Sequence, residues 1–153
     1  FGAAAFVIGS ILAGYYIAWR GLQKSLFSLA LVFNIPFIAY TFLAIYQPES
    51  LWLIGGAIVM EYFGYGFGFV GLSLFMMQQI APGKHQMAHY AFASGIMNLG
   101  VMLPGMLSGV FSDLLGYRQF FIFVLVCTIP ALLVTWFVPF TYTDDTKTEK
   151  LEA

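Results

Sequence analysis

One carboxylate stands inside a long apolar stretch of the chain. Glu61 lies in VMEYFGYGFGFVGLSLFMMQQI, residues 59–80. An ionised carboxylate is costly to bury in hydrocarbon, so it is expected to face a bundle interior or a wet cavity, where desolvation favours its protonated form. This chemistry suits a residue that handles a proton or contacts a solute. A structural hydrogen bond to a neighbouring helix, or a position closer to the membrane interface, would also account for Glu61.

The residues that follow Glu61 at helical spacing are its expected neighbours. Gly64, Tyr65 and Gly68 come three, four and seven positions later, so a helix places them on the face of Glu61. Tyr65 could stack on a sugar ring, hydrogen-bond the carboxylate or only pack against other helices. The two glycines would allow another helix to approach closely.

A second polar pattern occurs further along the chain. Ser94 and Asn98 are one helical turn apart in an otherwise apolar segment. A buried Asn in a membrane helix either joins helices through its amide or binds a solute. We therefore take both residues as candidates for substrate contact.

The chain offers little that would support an enzyme or a metal site. His85 and His89 have the spacing of a ligand pair on one helix face, but no third ligand lies near them in sequence. Zinc-protease, nucleophile-elbow and phosphate-loop motifs are also absent from the sequence. We predict no enzymatic activity, no metal and no cofactor.

The composition is that of a membrane protein. Charged residues make up 8% of the 153 residues and apolar residues 61%, whereas about a quarter of an ordinary soluble domain is charged. The net charge of −1 gives no reason to expect a nucleic-acid partner. The lipid bilayer is therefore the first predicted partner.

Five apolar segments predict five membrane-spanning helices. Cutting the chain at short polar breaks leaves segments at about 1–19, 25–46, 51–80, 88–112 and 119–140, each near or above the ~20 residues that a spanning helix needs. They are too long for membrane strands and show no strict alternation. The predicted fold class is all-α, a polytopic transmembrane helix bundle, followed by a polar tail at 141–153.

The distribution of Lys and Arg predicts the orientation. Five of these residues fall on one side of the predicted bundle and one on the other: Arg20, Lys24, Lys84, Lys147 and Lys150 against Arg118. The positive-inside rule then places the loop with Arg20 and Lys24, and the tail, in the cytoplasm. Five helices that start on the opposite side fit the last five of a longer, even-numbered bundle, and the chain begins with Phe1 rather than Met.

The fourth segment carries the most specific pattern of small residues. In GVMLPGMLSG, Gly105 and Gly109 form a GxxxG step, with Gly100 and Pro104 before it. Such a step allows close helix approach, and the proline is expected to kink the helix. The pattern indicates either packing alone or a hinge in a gating helix.

These segments resemble a known family. The order of the segments is similar to that in the C-terminal half of major facilitator superfamily transporters, helices eight to twelve of twelve. Three stretches share this resemblance: GVMLPGMLSG, SDLLGYRQFF and GSILAGYYIAWRGLQK. Within that superfamily, MEYFGYGFGFVGLSLFM followed by HYAFAS resembles the AmpG-type permeases, and HYAFAS adds Tyr90 to the candidates. The sequence departs from the family pattern at two places. Ala18-Trp19 stands where the family loop usually has an Asp before the Arg, and His89 stands where a polar amide is expected.

The resemblance implies a function. AmpG-type permeases import anhydromuropeptides, released during cell-wall turnover, across the bacterial inner membrane with protons, by alternating access. The expected partners are then a small-molecule solute, a proton and the missing N-terminal half, without which we expect no transport. Two alternatives stay open: a sugar, oligosaccharide or drug transporter of the same superfamily, or a small membrane subunit that transports nothing.

Overall fold

The computed structural model of the chain describes residues 1–141, which form five α-helices and no β-strand. The helices are α1 (Gly2–Arg20), α2 (Leu22–Tyr46), α3 (Leu51–Phe75), α4 (Gln86–Leu115) and α5 (Tyr117–Phe137). All five are long and apolar enough to cross a membrane. The predicted all-α bundle of five membrane-spanning helices is therefore confirmed.

Two predicted connections are much shorter in the structure than in the sequence interpretation. A single glycine joins α1 to α2, and another joins α4 to α5: Gly21 with φ 77° and ψ 153°, and Gly116 with φ 78° and ψ 151°. A positive φ with extended ψ is accessible to glycine and strained for other residues. Helix α4 thus continues beyond the predicted end at 112 to Leu115, and Gly116 follows it directly.

The end of α3 also departs from a regular helix. Residues Met76–Ile80 form a π-helical turn that extends α3, so the whole segment runs from Leu51 to Ile80. The turn precedes the short connection to α4. The C-terminal segment returns to it, since the Thr141 backbone N–H donates to Gln79 Oε1 at 2.9 Å.

Helix α3 lies between α1 and α2, and these three helices hold most of the buried side chains. Helix α2 also packs against α5, while α4 contacts α5 and the π-helical turn. A small apolar core joins α1 to α2 and consists of Ala13, Ile17, Leu22 and Leu29. Helix α4 buries only Ala93, and α5 buries no residue.

The predicted tail at 141–153 lies outside the described residues, apart from Thr141. Its separation from the membrane part, and its cytoplasmic location, stay predictions.

Candidate functional site

One side of helix α3 is in direct backbone contact with α1. A Cβ atom built on Gly66 would lie 2.3 Å from the carbonyl oxygen of Phe6, and one on Gly9 would lie 2.4 Å from the carbonyl oxygen of Phe63. Only glycine fits at such a distance, so the two helix backbones touch here. The Ser10 hydroxyl, 2.9 Å from the Phe6 carbonyl and 3.3 Å from the Gly66 carbonyl, adds a polar link between the helices.

On its second side, α3 meets α2 at a proline. Pro36 lacks an N–H group, so the carbonyl oxygen of Val32 one turn earlier loses its usual helical donor. A Cβ built on Gly64 would lie 2.9 Å from this oxygen and 3.3 Å from Pro36 Cγ. The glycine therefore lets α3 lie against the part of α2 where the helical hydrogen bonding is interrupted.

The same face of α3 continues in both directions from Gly64. Gly68 lies against the Phe33 side chain and Gly71 against Leu29, and both contacts leave no room for a Cβ. Glu61 is one turn before Gly64, so it lies on this α2-facing side. The shared face expected from the spacing of Glu61, Gly64 and Gly68 is thus the face that α3 presents to α2.

Glu61 has a hydrogen-bond partner on α2. The Tyr40 hydroxyl donates to Glu61 Oε2. The Tyr40 ring stacks on Phe121 of α5, with centroids 6.0 Å apart, and Tyr117 packs edge-on against Phe121 at 4.9 Å. The carboxylate is therefore linked to α2 by a hydrogen bond, and through α2 to an aromatic group on α5.

Glu61 lies well inside the span of α3. It follows Trp52 by nine residues, which is about 13 Å of helix at 1.5 Å per residue. Tryptophan near a helix end typically marks the membrane interface, and half of the hydrocarbon core is ~15 Å thick. If Trp52 lies at the interface, Glu61 is near the middle of the membrane.

Tyr65 belongs to an aromatic cluster at the junction of the first three helices. Its ring centroid lies 5.8 Å from those of Phe6 on α1 and Phe33 on α2, and 6.0 Å from that of Phe69. Its side chain is 41% exposed. Tyr65 thus packs between helices with part of its surface open, and it is Tyr40 that hydrogen-bonds Glu61.

The candidate residues of α4 form a separate group. Asn98 Nδ2 donates to the Ser94 carbonyl at 2.9 Å, and the Ser94 hydroxyl donates to the Ala91 carbonyl at 2.9 Å, so both side chains bond to their own helix. Tyr90 is half-buried at the start of α4. Among the described residues, α4 meets the π-helical turn and α5 but not α3. The structure therefore does not join this group to Glu61.

The small residues of α4 face open space within the described part of the chain. Nothing lies within 4 Å of a Cβ built on Gly100, Gly105 or Gly109. Pro104 lies inside α4, which continues through it to Leu115. The small-residue stripe formed by Gly100, Gly105 and Gly109 is available for close packing, but no helix within residues 1–141 packs against it.

Arg20 and Lys24 were predicted to lie in a loop and instead lie in helices. Because the connection shrinks to Gly21, Arg20 ends α1 and Lys24 falls in the first turn of α2. The Arg20 guanidinium donates to the Tyr16 hydroxyl at 2.9 Å and lies over the Tyr16 ring at 5.7 Å. Lys24 lines a cavity between α2 and α5.

No cluster of three or more potential metal ligands occurs within residues 1–141. His85 precedes α4 as its N-terminal flanking residue, and His89 lies in the first turn of that helix.

Sequence reasoning missed two features of this site. The small residues Ala5, Gly9 and Ala13 recur every four positions and are all buried on α1, a spacing that could have indicated the close contact with α3. Tyr40 gave no comparable signal, because nothing in the sequence says which helix lies beside Glu61.

Comparison with known proteins gives relatives of low identity. The chain is 26% identical over 133 residues to "Putative transporter AmpG 1" of Rickettsia felis and 23% identical over 142 residues to the protein of that name in Rickettsia conorii, in each case over 87% of this chain. It is also 25% identical over 138 residues to an uncharacterized protein of Haemophilus influenzae. No family model matches the chain, and no solved structure matches it significantly.

The chain spans about 30% of the length of these relatives. Together, the five apolar helices and the similarity to these relatives support a multi-pass membrane protein. The chain is thus similar to a part of AmpG-like transporters.

Proposed function

We propose that this chain is the C-terminal part of a secondary transporter of the AmpG type, within the major facilitator superfamily, and that the whole protein imports anhydromuropeptides together with protons. The similarity to proteins named as AmpG transporters over 87% of the chain supports the assignment. The relatives' names are those of transporters and not of enzymes.

The observation that carries the proton part of the proposal is the hydrogen bond from Tyr40 to Glu61. A donor from a neighbouring helix stabilises an ionised carboxylate where water is scarce. When Glu61 binds a proton, its negative charge disappears and this bond weakens, because it is no longer charge-assisted. Protonation then changes the contact between α2 and α3, which is the type of link that a proton-coupled transporter requires.

Solute contacts are proposed for two surfaces that the described residues leave partly open. Tyr65 offers an aromatic surface beside Glu61, and Asn98, with Ser94 and Tyr90, offers polar groups on α4. In alternating-access transporters, the solute binds near the middle of the bilayer between two helix bundles. We propose that these two surfaces face the solute path from different walls, with the opposite bundle supplied by the remainder of the transporter.

The location is part of the same proposal. A muropeptide importer belongs in the bacterial inner membrane, and the excess of Lys and Arg on one side then places the C-terminus in the cytoplasm.

The test is uptake of labelled anhydromuropeptide by vesicles that contain the full-length protein, with and without an imposed proton gradient. We expect accumulation above the outside concentration only with the gradient, and none in vesicles without the protein. If the vesicles took up simple sugars and excluded the muropeptide, the cargo would be a sugar and the AmpG-type proposal would be wrong. A coding sequence that begins at residue 1 would favour a small membrane subunit instead.

A further inference from the structure

A cavity of about 330 Å³ lies between α2 and α5, at the end of the bundle that the Lys and Arg count predicts to be cytoplasmic. Its walls come from the first two turns of α2, the last turn of α5 and the segment that follows α5. Six of its lining residues carry the argument: Gln23, Lys24, Phe27, Ser28, Thr135 and Trp136. Glu61 and the residues around it do not line this cavity.

The cavity lies at the level where a membrane helix meets the headgroups. Lys24 is the third residue of α2, and Trp136 is the second-last residue of α5. Tryptophan and lysine near helix ends are typical of the membrane interface, where the ring sits among the headgroups and the ammonium reaches the phosphates. The opening between the helices is thus at the depth of a lipid headgroup and its glycerol.

The lining combines a cation with apolar surface. The Phe27 and Trp136 rings meet edge-to-face, with centroids 4.8 Å apart, and form an apolar wall of the cavity. Lys24 supplies a positive charge and Gln23 an amide group. The hydroxyls of Ser28 and Thr135 are engaged within the protein, with Tyr16 and with the Ala131 carbonyl. No carboxylate occurs among the described residues that line the cavity, so none of them pairs with Lys24 there.

Phosphate esters are the anions that fit this arrangement. A phosphodiester takes hydrogen bonds from an ammonium group and from an amide group, and the first carbons of an acyl chain pack on aromatic rings. Basic pockets between membrane helices on the cytoplasmic side bind anionic lipid headgroups for this reason. A soluble anion would leave the apolar wall without a partner.

We propose that the cavity between α2 and α5 binds one anionic phospholipid of the adjacent leaflet, with Lys24 on the phosphate and Trp136 beside the glycerol and upper acyl chains. The inference is independent of the transported solute and of Glu61. It depends only on the membrane placement of the two helices.

Trp136 makes the site measurable by fluorescence. The chain contains three tryptophans, so Trp19→Phe together with Trp52→Phe leaves Trp136 as the only one. This chain is placed in phosphatidylcholine vesicles that contain a minor fraction of brominated lipid, either brominated phosphatidylglycerol or brominated phosphatidylcholine. Bromine on the acyl chain quenches tryptophan on contact, so the difference between the two lipids reports headgroup selectivity at Trp136. Far-UV circular dichroism checks the helix content of every variant.

We expect brominated phosphatidylglycerol to associate about fivefold more strongly than brominated phosphatidylcholine, which is the usual effect of one lysine at an anionic surface. Lys24→Gln should remove the preference, and Lys24→Arg should keep it. Lys84→Gln is the matched control, since Lys84 is on the same predicted side, in the turn before α4, and does not line the cavity. That variant should keep the preference.

Four results would overturn the proposal. Equal quenching by the two lipids would mean that the cavity does not select an anion. A preference that survives Lys24→Gln but disappears with Lys84→Gln would reflect general surface attraction. A preference that appears only after deletion of residues 142–153 would mean that the tail fills the cavity, and displacement of the brominated lipid by soluble glycerol phosphate would indicate a site for a free phosphate ester.

Discussion

The α1–α3 contact and α4 contain similar small residues, but these residues are packed against another helix only at the α1–α3 contact. Gly9 and Gly66 bring the backbones of α1 and α3 into contact, whereas a Cβ on Gly105 or Gly109 of α4 would meet nothing within 4 Å among the described residues. Glycine spacing therefore shows that a helix can be approached closely. It does not show which helix approaches, or whether the partner is within this chain.

The largest effect is expected where backbone meets backbone. Gly66→Ala places a methyl group 2.3 Å from the Phe6 carbonyl oxygen, and α1 must move to accommodate it. Overpacking of this kind costs about 1–3 kcal/mol of stability. Reversible unfolding in detergent, followed by circular dichroism, measures the change.

The matched control is Gly105→Ala, at a site with open space. It should be neutral, or stabilising by up to about 1 kcal/mol, because alanine favours helix more than glycine does. Equal losses of stability at the two positions would contradict the difference between these regions.

A smaller effect is expected where glycine meets a side chain. At Gly68 an added Cβ would lie 2.7 Å from both Cβ and Cδ2 of Phe33. The ring can turn aside, and α2 must shift less to clear the Phe33 Cβ than α1 must shift at Gly66, where the distance is 2.3 Å. We expect Gly68→Ala to cost about 1 kcal/mol, at the low end of the overpacking range. In the same unfolding experiment, a loss greater than that of Gly66→Ala would show that the α2–α3 contact is the more rigid one.

The contact between α2 and α5 depends partly on a single hydroxyl. Thr41 Oγ1 lies 2.8 Å from the Phe37 carbonyl of its own helix and 3.1 Å from the Phe121 carbonyl of α5. Thr41→Val keeps the shape and removes the interhelical bond, for an expected loss of about 0.6 kcal/mol. Thr128→Val is the control, because Thr128 bonds only within α5, and no measurable difference between the two variants would mean that this link contributes nothing.

The smallest loss of stability in the isolated chain is expected on α4 itself. Gly109→Leu should not destabilise it, because the site is open; as at Gly105, a gain of up to about 1 kcal/mol is expected because leucine favours helix more than glycine does. In a full-length transporter the same substitution should reduce stability if another helix packs on this stripe, as small-residue stripes allow. Comparison of the melting temperatures of the two proteins measures this, and an unchanged full-length protein would mean that the stripe packs against no helix.

Much of the fold could be predicted from the sequence, because long apolar segments in a membrane have few alternatives to helices. The five spans follow from hydropathy, and one-residue connections such as Gly21 shift only their ends. The partner of Glu61 could not be predicted in this way. Tyr40 is 21 residues earlier in the chain, and its proximity depends on how α2 and α3 pack around Pro36 and Gly64.

The same limit applies to the candidate residues as a group. Spacing correctly relates residues on one helix, such as Glu61 and Gly64, but it carries no information about the distance between helices. Asn98 and Ser94 were grouped with Glu61 by chemistry alone, and the described part of α4 does not contact α3. In the proposed full-length transporter, the distance between the two groups would depend on helices other than these five.

We propose that Glu61 couples proton movement to transport, and one substitution in the full-length protein tests this role. Glu61→Gln keeps the size and a hydrogen-bonding group for Tyr40 but cannot bind and release a proton. Gradient-driven accumulation of labelled anhydromuropeptide and exchange of labelled for unlabelled solute are measured on the same vesicles. We predict that accumulation is lost while exchange persists. Accumulation at the wild-type level would show that Glu61 does not couple proton movement to transport and is only a structural link to Tyr40.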